Sequence, residues 1–124
     1  NAARWSESVF QGKRFREDWR GAVERLRPAL GTADRVVVLH DPSWRAVHYY
    51  AGDGWPLVSL EGGPERPADL SRFPALPPGG RVWLLAAWFE VPDLPPVEAR
   101  LAEHARLESK EWESGVLVSR YRVE

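Results

Sequence analysis

His40 and Asp41 are the side chains of this sequence best placed for chemistry, because they stand where the apolar run Val36-Val37-Val38-Leu39 gives way to Asp-Pro. The carboxyl end of a buried strand, facing an open loop, is where α/β domains put their sites. An imidazole beside a carboxylate can act as base and acid, or bind a metal if a third ligand joins it. No third ligand stands at usable spacing, and His48 and His104 lack the HExxH arrangement. The ordinary role of Asp41-Pro42 is a turn that caps the helix after it. Ser43, Ser59 and the later serines have no GxSxG elbow, and no Lys-Ser/Thr pair follows Gly62-Gly63 or Gly79-Gly80. Cysteine is absent, which removes thiolate nucleophiles, disulfides and Cys-ligated zinc. The residues therefore assign no catalytic group, no metal ligand and no cofactor.

Surface contacts are the other candidates. Trp44, Trp55 and Trp88 fall at the ends of expected elements, where an exposed indole can serve as a platform for a sugar ring or sit at a membrane interface. Trp19, Trp83 and Trp112 fall on expected core faces instead. Arg14, Arg16 and Arg20, with Lys13, form a basic cluster that could meet phosphate headgroups or a lipid-linked phosphate; a solvated helix face is the plainer explanation. Seventeen basic and eighteen acidic side chains leave a net charge of −1, so no overall field draws the chain to nucleic acid.

The elements that must position these residues follow from periodicity. Phe15, Trp19, Ala22, Val23, Leu26 and Leu30 form the apolar stripe of a helix that Pro28 ends near Arg27. Arg35 to His40 reads as a strand buried on both faces. A helix from Trp44 to about Ala51, capped by Ser43, stops at Gly52-Asp53-Gly54. A second strand, Pro56 to Leu60, leads into the Gly/Pro-rich loop Glu61 to Gly80, with one helical turn at Asp69 to Phe73. The third strand, Arg81 to Ala87 or a little beyond, is the most apolar segment and should be central. A long helix is expected from Pro96 through Trp112, its acidic residues from Glu98 to Glu113 keeping it soluble, and Ser114-Gly115 should stop it before a half-exposed strand, Val116 to Val123.

This order predicts an α/β fold, a three-layer αβα sandwich of about four mainly parallel strands. With 124 residues the chain has room for one core, expected over 15–124 as a single α/β domain behind an N-terminal segment, 1–14. No apolar run approaches the roughly 20 residues that cross a bilayer. A sequence that opens Asn1-Ala2-Ala3 and contains no Met reads as a domain excised from a longer protein.

Read together, Glu17-Asp18-Trp19-Arg20-Gly21-Ala22-Val23-Glu24-Arg25-Leu26, Asp34-Arg35-Val36-Val37-Val38, Tyr49-Tyr50, Arg81-Val82-Trp83-Leu84-Leu85 and Gly115 to Arg122 carry a resemblance. The chain resembles the soluble C-terminal region of bacterial multi-spanning glycosyltransferases of the dolichyl-phosphate-mannose mannosyltransferase and aminoarabinose transferase type. The resemblance implies a domain that follows the last transmembrane helix, on the extracytoplasmic face of the bacterial cell membrane, in the cell envelope. Its partners would be the transmembrane part of the same parent chain and a polyprenyl-phosphate sugar or its acceptor, with no nucleic acid. The acidic catalytic residue of such enzymes lies in an early extracytoplasmic loop and has no counterpart here, so the implied role is non-catalytic, shaping or covering the acceptor side. The long loop Glu61 to Gly80 departs from the pattern. An independent small-ligand or regulatory α/β binding domain, with its pocket at His40-Asp41, is the alternative.

Overall fold

Two stretches of backbone, Val36–Leu39 and Val82–Ala87, are buried on both faces, and the architecture is what covers them. The computed structural model describes residues 17–124. The 1–14 segment, Phe15, and the placement of Lys13, Arg14 and Arg16 lie outside the described residues. Strand β1 (Arg35–His40) is flanked by two parallel partners, β2 (Leu57–Gly62) and β3 (Arg81–Ala87). Beyond β3 the sheet turns antiparallel through β5 (Val116–Val123) to β4 (Ala105–Glu113), giving the order β2-β1-β3-β5-β4.

Helices cover both faces, so the fold is an α/β sandwich of three layers with β3 central, as expected. On one side lie α1 (Trp19–Leu26) and α2 (Asp41–Ala51), which bury Trp19, Ala22, Val23, Leu26 and Val47 against Val36, Val38, Trp83, Leu85 and Ala87. On the other lie α3 (Leu94–Ala102) and the loop after β2, where Leu94, Val97, Leu101, Leu70 and Phe73 meet Val37, Leu39, Leu84 and Leu117. The helical turn expected before Pro74 is present as a 3-10 turn, Leu70–Arg72, opened by Asp69.

The start of α1 is built on Asp18-Trp19-Arg20-Gly21. The Asp18 carboxylate accepts the Gly21 N–H at 2.9 Å, capping the helix, while Trp19 turns inward. A Cβ on residue 21 would press on the Asp18 carboxylate, so glycine there lets the cap close without displacing it. Pro28 then ends the α-helix at Leu26, and Arg27–Ala29 continue as a 3-10 turn.

Several expectations are corrected. The long helix to Trp112 is not formed: α3 ends at Ala102, and Ala105–Glu113 is the edge strand β4. Its Arg, Leu, Glu and Lys residues favour helix, but by less than about 1 kcal/mol each. The nine-residue β4 pairs along β5 instead. Ser114 and Gly115, with φ of 50° and 84°, make the two-residue turn that a hairpin requires, so they reverse a strand rather than stop a helix. A bulge near Glu108 interrupts the register, and this carboxylate lies within 3.1 to 3.3 Å of Arg81, Arg120 and Arg122. Hydrogen bonds from Arg81 and Arg122 hold its carboxyl below the ordinary value. Glu108 thus clamps the hairpin and does not merely solvate a helix. Because β4 takes the edge, β5 is interior and largely buried, not half-exposed. Finally, α2 begins at Asp41, with His40 as its N-cap, and Ser43 is a buried helical residue that makes no cap.

Asp34, buried just before β1, ties this frame together. Its carboxylate accepts the Gly31 and Arg81 N–H groups and the Trp83 indole N–H, at 2.8, 3.1 and 3.0 Å. Burial opposes its ionisation, but these donors and the Arg81 charge outweigh burial and lower its pKa from the ordinary 3.8. The folded value lies below the unfolded one, so this stabilisation is present above pH 3.8 and is lost as pH falls through the folded value. Asp34→Asn should therefore destabilise the fold at pH 7, with a deficit that shrinks below pH 3.8 in denaturant titrations across pH. Trp83→Ala, which removes the indole donor and a buried side chain, should cost about 3–5 kcal/mol. A loss under about 1 kcal/mol would remove Trp83 from the core.

Candidate functional site at the carboxyl ends of β1 and β3

From β1 the chain runs outward to β2 and then crosses back over β1 to β3, so the strand order reverses at the carboxyl ends of β1 and β3. Ligands of open α/β sheets bind at such a crevice. His40, the last residue of β1, is buried there. The 3-10 turn Trp88–Asp93, which follows β3 directly, brings two carboxylates to it.

Glu90 is fully buried and used on every side. Its Oε1 accepts the Ala87 N–H at 2.7 Å and the Ser43 hydroxyl at 3.0 Å; its Oε2 accepts the His40 N–H at 3.0 Å and lies 3.6 Å from His40 Nδ1. On the far side of the ring, Nε2 is 2.9 Å from Asp93 Oδ2, whose side chain is half-exposed. Gly62 packs against the imidazole so closely that a Cβ there would sit 2.9 Å from His40 Cδ2. Phe89 flanks the same ring at 6.1 Å between centroids.

The expected pair His40-Asp41 is not formed. The two side chains diverge at the start of α2: His40 joins Glu90 and Asp93, while Asp41 accepts the Ser59 hydroxyl at 2.7 Å and lies 3.4 Å from Arg66. The carboxylates that do meet His40 come from about fifty positions away, beyond the reach of local spacing. An acidic residue following the most apolar strand, in Trp88-Phe89-Glu90, was the available signal. Chemically, the His40 ring between two carboxylates could hold or pass a proton, but Glu90 is saturated with donors and the Ser43 hydroxyl is committed to it. Among the described residues no group of three or more His, Asp or Glu side chains is placed to hold a metal.

The tryptophans divide. Trp88 is exposed, with Phe89 set edge-on to it at 5.7 Å. Trp44 is half-buried and stacks on His48 at 4.8 Å, and half-buried Trp55 lies under the Arg27 guanidinium at 5.5 Å. His48 is paired with Asp53 at 2.9 Å, and His104 is exposed at the other end of the sheet. Arg20 is exposed in the first turn of α1; Arg14 and Arg16 lie outside the described residues. A groove of about 710 Å³ lies along the outer edge of β2, running from Asp41, Trp44 and Arg45 to Ser71 and Arg72. Comparison with known proteins yields no match to a family model, a curated protein or a solved structure.

The charge of Glu90 gives the site a pH signature. Burial pushes its carboxyl above the ordinary 4.5, against the pull of the Ala87 N–H, the His40 charge and the Ser43 hydroxyl. Since the folded value exceeds the unfolded one, the stability from this protonation is complete below pH 4.5 and is lost as pH rises through the folded value. Glu90→Gln cannot titrate, and it turns an amide N–H2 toward a backbone donor. It should cost about 1–3 kcal/mol at pH 7. Urea titrations should show that cost widening as pH falls toward 4.5. A constant difference would mean that folding leaves the Glu90 proton affinity unchanged.

Proposed function

We propose that this chain is a non-catalytic extracytoplasmic domain of a bacterial membrane glycosyltransferase that uses a polyprenyl-phosphate-linked sugar, and that it shapes or covers the acceptor side of the site. The observation that carries this reading is the part played by the residues that bear the resemblance. Asp18, Trp19 and Gly21 form the cap and inner face of α1, Asp34 holds Trp83 across β1 and β3, and β5 lies against β3. Each of these residues builds scaffold, as a domain that lends shape rather than chemistry would require.

The position of Asp18 suits this role. The Asp18 N–H donates to the Ser114 carbonyl at 2.8 Å, and the neighbouring Val116 pairs with Ala87. Residue 18 therefore lies at the same end of the sheet as the carboxyl termini of β1 and β3, where Trp88 and Phe89 are exposed. In this reading that end of the sheet, with Arg20 close by, faces the membrane. Among the described residues no helix is long and apolar enough to cross a bilayer, so in this reading the spans belong to the rest of the parent chain.

The second reading, an independent small-ligand or regulatory α/β domain, is favoured by the groove that reaches Asp41. Two measurements separate them. In the first reading the parent chain carries about ten hydrophobic spans of roughly 20 residues each, and in membranes it transfers sugar from a polyprenyl-phosphate donor. The isolated domain should neither transfer nor hydrolyse that donor with any added divalent metal, and His40→Ala or Asp41→Ala in the parent should leave transfer largely intact. Turnover by the isolated domain that disappears in Asp41→Ala or His40→Ala would overturn the non-catalytic role.

A further inference from the structure

We propose that the groove along the outer edge of β2 is a binding site for a phosphorylated hexose. This goes beyond the glycosyltransferase reading and does not depend on it, because the argument uses only the groove. One wall is the first turns of α2, the floor is β2, and the other wall is the 3-10 turn Leu70–Arg72. Its volume of about 710 Å³ is in the range of small-molecule sites.

The lining combines the three kinds of group that such a ligand needs. Arg45 projects from the exposed side of α2 into this wall, and no ion pair joins it to a carboxylate among the described residues. A free guanidinium offers a planar fork of donors matched to a phosphate. Trp44 supplies an indole whose orientation is fixed by its stack on His48, nearly parallel at 6°, so little side-chain freedom is lost when a sugar ring packs on it. Asp41 and Glu61 are already positioned by Ser59 and Arg72, at 2.7 and 2.8 Å, and both keep acceptor positions for sugar hydroxyls. Cation, apolar face and acceptors thus line one concavity.

The rival occupant of a sheet edge is an extended peptide that adds a strand. The edge is too short for it. The Leu60 carbonyl is taken by the Asp69 N–H at 2.7 Å, and Glu61 breaks the strand geometry with a φ of 55°, so the open edge amounts to Leu57 through Ser59.

The test is a titration of the isotope-labelled chain, followed by NMR, with glucose, mannose and galactose 1-phosphates against the neutral hexoses and inorganic phosphate. At least one hexose phosphate should give saturable shifts centred on Trp44, Arg45 and Ser59, about tenfold tighter than its neutral sugar or than inorganic phosphate. Arg45→Gln should weaken it about tenfold while leaving the neutral sugar unchanged, since only the phosphate contact is lost. Arg45 is exposed, so the thermal midpoint of the variant should match the parent and a folding defect is separable from a binding one. Three results would overturn the proposal: no saturable shift with any of the three phosphates, inorganic phosphate binding as tightly as the sugar phosphate, or unchanged affinity in Arg45→Gln. None of these bears on the transfer assay of the parent chain, so the two readings fail separately.

Discussion

The constraint from which the rest follows is that β1 and β3 are apolar on both faces. Val36, Val38, Trp83 and Leu85 point one way, and Val37, Leu39, Leu84 and Ala86 the other, so neither side of the sheet can be left to water. Covering both requires helices before and after the strands, which the chain supplies as α1 and α2 on one face and α3 with the long loop on the other. The strands β2 and β5 then flank this pair, and the outer positions fall to more polar segments. The sheet is hydrophobic in the middle and charged at the β4 edge, where Glu108 gathers three arginines.

Burying the strands completely also buries their ends, and the polar groups there must be satisfied internally. Asp34 does this at the amino ends, where one carboxylate collects two backbone N–H groups and an indole N–H. Glu90 does it at the carboxyl ends, collecting two backbone N–H groups and the Ser43 hydroxyl. The two carboxylates work alike, but the fold moves their pKa values in opposite directions. Glu90 is enclosed on all sides and burial dominates; at Asp34 the hydrogen-bond donors and the Arg81 charge outweigh burial.

This use of Glu90 changes what the strand ends can offer. The crevice where α/β sheets place ligands is filled by a braced His40, its two carboxylates and the Phe89 ring. Open space with unpaired cationic and apolar groups lies instead beyond β2, where the sheet stops and α2 overhangs it. Scaffold and recognition are thus separated by one strand.

Local chemistry determined much of this. The runs of valine and leucine mark β1 and β3, because burial on both faces leaves an unbroken apolar signature; Pro28 and Gly52 set the ends of α1 and α2. The tertiary structure decided the rest. Ala105–Glu113 has the composition of a helix and became a strand because the hairpin turn at Ser114-Gly115 lays it along β5, a gain that local propensity does not register. Asp41 follows His40 directly, yet the start of α2 turns their side chains to different neighbours. The partners His40 does find, Glu90 and Asp93, and the placing of Arg45 and Arg72 along one groove, depend on packing between residues far apart in the chain, which only the folded sheet creates.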